Sequence, residues 1–157
     1  MQAASLIVLE SATVSDAAEI LVVQKLAFQG QAVLYDDYTL PPLVQTPDEL
    51  AGDFDRYSFL KATLAGRIIG SVRGRWEGEV CHVSRLLVHP EHQNKGVGTL
   101  LMHAIEERFR DARRYALFTG HLSAKNLALY AKLGYREFGR KPQSDKVVLI
   151  CMEKSRR

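Results

Sequence analysis

The residues best suited to bind an anion lie between an apolar strand and a helix, in the segment 86–101. Its sequence is Leu-Leu-Val-His-Pro-Glu-His-Gln-Asn-Lys-Gly-Val-Gly-Thr-Leu-Leu. Gly96 and Gly98 let backbone N–H groups approach a ligand closely, and the start of the helix offers unpaired donors and a partial positive charge. Lys95 adds a full positive charge. The segment predicts an anion site into which a diphosphate fits.

Two common phosphate loops are excluded by inspection. A Walker A loop needs Gly-Lys followed by Ser or Thr, and this segment has no such triplet. The dinucleotide pattern G-x-G-x-x-G fails because Leu101 stands where the third glycine belongs.

A second polar pair lies on a predicted helix later in the chain. Asn126 and Tyr130 are four residues apart, so their side chains project from one helix face and can reach the same ligand.

The elements that must position these residues alternate between strands and helices. Helices are predicted from Ser15 or Asp16 to about Phe28, after Thr46, from Thr99 to Ala112 and from Ser123 to Leu133. Strands are predicted at Ser5–Glu10, Ser58–Leu64, Arg67–Trp76, Glu79–Val88, Tyr115–Thr119, Tyr135–Gly139 and Lys146–Met152. The second to fourth strands are expected to be antiparallel neighbours. The pattern indicates an α+β (mixed α/β) fold with one central sheet flanked by helices.

The strand ending Leu-Leu-Val-His-Pro, followed by Gln93-x-x-Gly96-x-Gly98 and an apolar helix, resembles the coenzyme A signature of the GNAT acetyltransferase superfamily. The segment 126–135, Asn-Leu-Ala-Leu-Tyr-Ala-Lys-Leu-Gly-Tyr, is similar to the later N-x-x-A-x-x-x-Y-x-x-x-G-F pattern of that family, slightly compressed. With the predicted order of elements, the resemblance covers nearly the whole chain. It implies a mostly antiparallel sheet of about seven strands, about four helices, and a V-shaped splay between strands 4 and 5.

The resemblance also implies a cosubstrate, acetyl-CoA, and a direct transfer of its acetyl group to an amine. Backbone groups near Leu87 and Val88 would pair with pantetheine and steady the oxyanion, and Tyr130 would be the general acid beside the sulfur. The other expected cofactor contacts are Gln93, Asn94, Lys95, Gly96, Val97, Gly98, Thr99 and Asn126.

The general base is left open by the sequence. Many relatives have a glutamate on the fourth strand where Ser84 stands here. The alternatives for the base are a water held by Ser84, the side chain of His121 and the side chain of Asp37. The missing glutamate also supports a second reading, in which the same fold binds acyl-CoA as a catalytically silent sensor or interaction subunit.

The uneven charge of the chain bears on the acceptor. Residues 1–90 carry a net charge of −4 and residues 91–157 a net charge of +7. We expect the basic half to hold the phosphates and the acidic half to attract a cationic amine. The first contacts are predicted in a long loop from Gln29 to Pro47, at Tyr35, Asp36, Asp37 and Tyr38.

Length and composition bound the remaining possibilities. The 157 residues, 46% hydrophobic and 25% charged, predict a single domain, 1–157. Apolar runs such as 147–152 are far shorter than the ~18–20 residues of a spanning helix. We expect a cytoplasmic protein without a membrane partner, with a homodimer among the oligomeric states that the resemblance allows.

Other kinds of site find weaker support. The pair His89 and His92 lacks a third metal ligand at usable spacing, so no metal is expected. Cys81 and Cys151 lie in apolar strands and are predicted to be buried thiols. A nucleic-acid partner is not expected, because no binding motif or aromatic platform accompanies the arginine cluster Arg108, Arg110, Arg113, Arg114, Arg156 and Arg157.

Overall fold

The computed structural model describes residues 6–156, which form one seven-stranded sheet with helices on both faces. Its strands are β1 (Ile7–Ser11), β2 (Ser58–Leu64), β3 (Arg67–Glu77), β4 (Val80–Val88), β5 (Arg114–Gly120), β6 (Arg136–Pro142) and β7 (Val148–Ser155). The helices are α1 (Ala17–Tyr35), α2 (Pro41–Val44), α3 (Pro47–Asp53), α4 (Val97–Arg108) and α5 (Ala124–Lys132). Short 3-10 turns at Val14–Asp16 and Pro90–His92 precede α1 and follow β4.

The strand order in the sheet is β1-β2-β3-β4-β5-β7-β6. Strands β2 to β4 form an antiparallel meander, as the sequence predicts, and β1 pairs antiparallel with β2 after the chain has passed through α1, α2 and α3. The turn between β2 and β3 is made by Ala65 and Gly66, whose φ angles are both positive, a geometry that suits a tight hairpin. Strands β5, β7 and β6 form a second antiparallel group.

The two groups meet at β4 and β5, which run parallel but pair over only three residues. Val80, Cys81 and His82 pair with Arg114, Tyr115 and Ala116. Beyond these pairs the strands separate, so residues 83–88 and 117–120 form the two arms of a V. The mixed sheet with a splay between strands 4 and 5 confirms the predicted fold class.

Two large apolar clusters hold the helices against the sheet, and a third, of Tyr35, Leu40 and Val147, packs the end of α1 beside β7. On one face, α4 inserts Leu101, Met102 and Ile105, all fully buried, against β3, β4 and β5. On the other face, α1 and α3 pack Ile20 and Leu50 against Phe59 and neighbouring strand residues.

The predicted end of α1 at about Phe28 is wrong, because the helix continues to Tyr35. Residues 29–35 contain Gly30, which lowers helix propensity, but Ala32 and Tyr35 are buried and continue the helical period. Tertiary packing overrides the local preference. The helix ends at Asp36, which has a left-handed conformation with φ of 50°. The expected long loop from Gln29 to Pro47 is thus replaced by the end of α1, a short segment at 36–40, α2 and a two-residue link to α3.

Smaller differences concern element ends. Helix α4 begins two residues before the expected Thr99 and ends at Arg108, followed by turns that reach Ala112. Strands β6 and β7 each extend up to three residues beyond their predicted ends. Strand β1 is placed at Ile7–Ser11, and Ser5, its predicted start, lies outside the described residues.

Candidate functional site

A cleft of about 300 Å³ opens where β4 and β5 separate. One wall comes from α1 and α2, with Phe28, Tyr35 and Leu40, and the opposite wall from α5, with Asn126 and Tyr130. The floor consists of the arms of the V, residues 83–86 of β4 and 117–120 of β5. The splay is therefore the feature of the sheet that creates a binding site.

Strand β4 has a bulge inside this cleft. Ser71 of β3 pairs with Leu87 and Arg73 pairs with Ser84, so Arg85 and Leu86 together face one residue of β3. Arg85 has a φ of 52°, which is uncommon for a residue with a side chain. The extra residue re-aims the side chains of β4 at the point where the strand loses its partner β5.

The backbone beyond the bulge turns a donor toward the cleft. The N–H of His89 donates to the carbonyl oxygen of Ile69 in β3, at 2.7 Å. Because N–H groups alternate along a strand, the N–H of Val88 faces the opposite side, toward the splay. This is the group expected to steady an oxyanion.

The loop after β4 exposes a series of backbone donors. Within the described chain, the N–H groups of Val97, Gly98 and Thr99 at the start of α4 donate no hydrogen bond. Two residues before this helix adopt left-handed conformations, Asn94 with φ of 63° and Gly96 with φ of 86°. The loop is closed at its base by Gln93, whose Nε2 donates to the carbonyl oxygen of Val88 at 3.0 Å.

Helix α5 approaches the same loop. A β-carbon built on Gly98 would lie 3.5 Å from Leu129 and 3.8 Å from Leu86, so a larger side chain there would fill the space between α4, α5 and β4. The structure thus brings together the two sequence segments, 86–101 and 126–135, that were singled out separately.

Tyr130 is buried beside the cleft and 6% exposed. Its ring packs edge-on against Tyr135, with 5.9 Å between ring centroids. The hydroxyl makes no hydrogen bond with another described residue. Every fully buried polar side-chain atom of the described residues has a hydrogen-bond partner, so the Tyr130 hydroxyl must be at least slightly accessible to solvent. Burial raises the pKa of Tyr130 above its ordinary value of 10.0, so the phenol stays protonated at neutral pH.

Tyr35 differs from its expected place on an exposed loop. It is buried in the last turn of α1, where its hydroxyl accepts a hydrogen bond from the N–H of Leu122 and donates to Ser123 Oγ at 2.7 Å. Ser123 Oγ in turn donates to Gln31 Oε1 at 2.8 Å. A β-carbon at Gly120 would collide with the Tyr35 hydroxyl. Tyr35 is thus a bridge from α1 to the start of α5.

The other three predicted acceptor contacts lie outside the cleft lining. Asp36 is exposed, and its carbonyl oxygen accepts from Lys146 Nζ at 2.6 Å. Asp37 Oδ1 accepts from both the N–H and the hydroxyl of Thr39, and these hydrogen bonds lower the pKa of the carboxyl. Tyr38 is 60% exposed. The structure does not bring these side chains to Tyr130.

Of the three candidate base positions, one lines the cleft. Ser84 does so, and its hydroxyl accepts from Arg73 Nε at 2.8 Å. His121 lies outside the lining, and its Nδ1 accepts from the N–H of Val148 at 3.0 Å. A neutral histidine that accepts at Nδ1 carries its proton on Nε2, so neither nitrogen offers a free lone pair in this arrangement.

A buried polar network that sequence reasoning missed lies behind Ser84. Asp53 accepts from Arg73 Nη1 at 2.7 Å, from Arg56 Nη2 at 2.8 Å and from Gln45 Nε2 at 2.8 Å. Burial would raise the pKa of the Asp53 carboxyl, but hydrogen bonds from Gln45 and Arg73 and the charge of Arg73 outweigh it and lower the pKa. Several partners in this polar network are 20 or more residues apart in the sequence, so no local motif indicates them.

The network reaches the cleft through Arg85. Its Nη1 donates to Gln45 Oε1 at 2.8 Å. Burial, together with the nearby charge of Arg73, lowers the pKa of Arg85 to about 10, which leaves the guanidinium cationic at neutral pH.

Two further classes of site are not found among residues 6–156. No group of three or more His, Cys, Asp or Glu side chains is arranged to hold a metal ion. No helix in this range combines the length and the apolar character needed to cross a membrane. Cys81 and Cys151 are buried free thiols, and burial raises the pKa of Cys81 to about 12.

Comparison with known proteins adds a family match. A family model described as an acetyltransferase (GNAT) domain matches residues 28–156. A mycothiol acetyltransferase of Amycolatopsis mediterranei (strain U-32) is 33% identical over 90 residues, which are 56% of this chain and 30% of that protein. The chain spans about a third of the length of the first curated relatives that it matches.

Solved structures share the architecture at low sequence identity. The PaiA N-acetyltransferase of Thermoplasma acidophilum, solved in complex with coenzyme A, superposes with a TM-score of 0.82 at 15% identity, over 96% of this chain and 99% of that one. The ribosomal-protein-S18-alanine N-acetyltransferase of Escherichia coli gives a TM-score of 0.80 at 18% identity, over 96% of this chain and 94% of that one. At these identities the likeness concerns the fold alone.

Proposed function

Because the chain belongs to the acetyltransferase (GNAT) domain family, we propose that it transfers an acetyl group from acetyl-CoA to the nitrogen of an amine. The observation that carries this proposal is the proximity of three features around the splay, where Gly98 of α4 lies close to Leu86 of β4 and Leu129 of α5. The three features are the arms of the β4–β5 splay, the open donors at the start of α4, and the Tyr130 hydroxyl. Relatives of this fold solved with coenzyme A or acetyl-CoA support the choice of donor.

The donor would be bound by the loop before α4 together with the adjoining cleft. The N–H groups of Val97, Gly98 and Thr99 would bind the diphosphate at the positive end of α4, assisted by Lys95. The separated arm of β4 offers backbone groups near Leu87 and Val88 that a pantetheine amide can pair with, as a strand would. Asn126, on the same face of α5 as Tyr130, lines the cleft and would make the remaining polar contact.

The acyl donor supplies a thioester, and the residues of this chain would stabilise the charge that develops when an amine attacks it. The N–H of Val88 would stabilise the oxygen of the tetrahedral species. The Tyr130 hydroxyl would donate a hydrogen bond to the departing thiolate: burial raises its pKa, which keeps the phenol protonated and opposes complete proton transfer to a thiolate whose conjugate acid has a pKa of ~8.5. Neither role needs a covalent intermediate on the protein.

The proton released by the amine has no carboxylate to receive it among the described residues that line the cleft. Ser84 is the polar side chain of β4 at this point, but its hydroxyl accepts from Arg73, so it can orient a water and is a poor base itself. We propose that the amine binds in its neutral form and that its proton leaves through water beside Ser84.

The test is a pair of measurements on the full chain. Acetyl-CoA at a hundredfold excess over its Kd should stabilise the folded protein by about 2.7 kcal/mol, seen as a rise in the midpoint of thermal unfolding. Thiol release from acetyl-CoA should then require an amine from a broad panel. No thermal shift at millimolar ligand would overturn the donor assignment. A thermal shift without thiol release from any amine would favour the silent acyl-CoA-binding alternative.

A further inference from the structure

The cleft contains one side chain that is charged at neutral pH, and that charge is positive. Among the described residues that line it, Arg85 is the sole Lys, Arg, Asp or Glu. The rest of the lining is aromatic, aliphatic or neutral and polar. A cationic acceptor would therefore meet a like charge and no carboxylate.

The Arg85 guanidinium has unused donors. Nη1 donates to Gln45 Oε1, whereas Nε and Nη2 donate to no described residue. Every fully buried polar side-chain atom in the described chain has a hydrogen-bond partner. Nε and Nη2 of Arg85 have none, so they are accessible to solvent. A guanidinium presents its donors as a planar fork that matches a carboxylate.

Arg85 forms no salt bridge with a carboxylate of the described residues. The Asp53 carboxylate, whose charge acts on Arg85, is already bonded to Arg73 and Arg56. The neighbouring Tyr57 ring lies 3.9 Å from the guanidinium carbon of Arg73, but it is neutral and does not replace a carboxylate. A partly buried cation without a counter-ion is costly, so an anionic ligand that completes the pair gains more there than at an exposed site.

The position of Arg85 is fixed before any ligand arrives. Its backbone is held by the bulge, and Gln45 is oriented by three hydrogen bonds. Gln45 Oε1 accepts from Arg85 and from Gln24 Nε2, while Gln45 Nε2 donates to Asp53. Gln24 itself is 1% exposed and also donates to the carbonyl oxygen of Pro42. Such preorganisation lowers the entropic cost of binding.

We propose that Arg85 binds a carboxylate of the acceptor, so that the substrates are amines that also carry a carboxylate, such as free amino acids. This inference rests on the proposed acetyl transfer and names its acceptor class. It replaces the cationic acceptor expected from the charge of residues 1–90, because Asp36 and Asp37, the carboxylates expected to attract it, do not line the cleft.

The experiment compares matched pairs that differ in one group. Amino acids and short peptides are each assayed beside their primary amides with acetyl-CoA, and kcat/KM is obtained from thiol release. A hydrogen bond between two charged groups contributes more binding energy than one to a neutral group. We therefore expect kcat/KM for an accepted acid to exceed that for its amide by about 10- to 100-fold. Arg85→Gln should bring this ratio close to one, and Arg85→Lys should retain part of it.

Arg75→Gln is the matched control. Arg75 lies two residues beyond Arg73 on β3, carries the same charge and does not line the cleft. Its substitution should leave the acid-to-amide ratio unchanged. Acetyl-CoA binding, measured as the thermal shift, should be retained in all three variants.

The outcomes separate the two proposals. Amides accepted as well as acids, or a ratio that survives Arg85→Gln, would overturn the carboxylate site and leave acetyl transfer standing. Loss of the acetyl-CoA thermal shift in Arg85→Gln would assign Arg85 to the donor and also overturn it. Absence of that shift in the wild-type chain would instead overturn the proposed function.

If the protein binds coenzyme A but acetylates no member of the panel, the binding of acetylated products tests the carboxylate site. Calorimetry on the CoA-saturated protein would compare N-acetyl amino acids with N-acetyl amino amides. Preference for the acid that is lost in Arg85→Gln supports the carboxylate site. Equal binding, or none, contradicts it.

Discussion

At the scale of single residues, the Tyr130 hydroxyl provides the sharpest test of the chemistry. Tyr130→Phe keeps the ring packed against Tyr135 and removes only the donor. We expect a clear fall in turnover, by about 10²- to 10⁴-fold where the hydroxyl acts as a full general acid, with little change in the affinity for acetyl-CoA. The measurement is kcat by thiol release together with the thermal shift.

Tyr115→Phe is a matched control for the loss of a tyrosine hydroxyl. That hydroxyl donates to the backbone carbonyls of Glu106 and Phe109, away from the cleft lining. This variant should lose stability, by about 1 kcal/mol, and retain turnover. Equal turnover in wild type and Tyr130→Phe, under conditions limited by chemistry, would reduce Tyr130 to a packing residue.

The residues also show what a sequence can and cannot predict. Gly98, Asn126 and Tyr130 stand in local motifs whose spacing reflects one loop or one helix face; Asn126 and Tyr130 line the cleft, and Gly98 lies beside it, close to Leu86 and Leu129. Arg85 stands next to the first motif, but its importance depends on the bulge and on Gln45, 40 residues earlier. Such long-range pairing leaves no periodic signal.

At the scale of elements, the loop between β4 and α4 should tolerate no bulk at its second glycine. Gly98→Val would place a β-carbon and two methyl groups among Leu86, Val88 and Leu129, beside the N–H groups expected to face the diphosphate. We expect the thermal shift with acetyl-CoA to disappear while the unliganded protein still unfolds cooperatively. Calorimetry over a range of acetyl-CoA concentrations measures this loss.

Gly52→Ala provides the comparison within another helix. A β-carbon at Gly52 in α3 would meet nothing within 4 Å, and the residue has no positive φ. This change should stabilise the protein by about 0.4–1 kcal/mol and leave the ligand-induced shift intact. Binding that survives Gly98→Val would show that the loop is not the diphosphate site.

The packing of α3 on β3 depends on the buried pair Asp53 and Arg73. The pKa of Asp53 is lower in the folded chain than in the unfolded one. The folded state therefore binds fewer protons, so the stability that Asp53 contributes is present above about pH 4 and is lost as pH falls through the folded pKa. Urea unfolding at a series of pH values should show this decline.

Removing the carboxylate should be costly at neutral pH. Asp53→Ala leaves Arg73 buried without its partner, and we expect a loss of about 3–5 kcal/mol in the free energy of unfolding. Asp55→Ala, at the exposed neighbouring acid, should change it by less than about 0.5 kcal/mol. Equal losses in the two variants would contradict a special role for the pair.

Elements were predictable where local rules decide them. The turn at Ala65-Gly66 and the antiparallel order of β2 to β4 follow from turn residues and period. The end of α1 was not predictable from local rules, because the burial of Ala32 and Tyr35 against distant residues outweighs the local effect of Gly30. Tyr35 is held by Leu122 and Ser123, nearly 90 residues away.

At the scale of the whole molecule, the absence of a carboxylate from the described cleft lining predicts the pH dependence of the rate. A protonated amine cannot attack, so kcat/KM should rise about tenfold per pH unit and level off near the pKa of the amine, ~10 for an alkyl amine. Since the pKa of Tyr130 is raised, its ionisation should cause no decline below that point.

Two acceptors of different pKa distinguish the alternatives. The midpoint of the pH profile should move with the pKa of the acceptor if no group of the protein acts as base. A midpoint near pH 6–7 that is the same for both acceptors would instead indicate a protein base, with a histidine as the first candidate.

The distribution of charge along the chain also behaves differently at this scale. Residues 1–90 are acidic as a whole, yet the network that they contribute to the cleft includes Arg73 and Arg85 and a single carboxylate, Asp53. The net charge of half a chain therefore does not set the sign of the potential at a site built from a few side chains.

The short parallel pairing of β4 and β5 has a consequence for solubility. Beyond His82 and Ala116 each strand has a row of backbone N–H and C=O groups that pair with no facing strand in the described chain. Unpaired strand edges are templates for joining other chains. The protein thus carries two such edges inside its own sheet, and a ligand lying along β4 would cover one of them. We expect light scattering on mild heating to rise sooner in the ligand-free protein than in protein saturated with coenzyme A, even when both are compared at the same fraction unfolded.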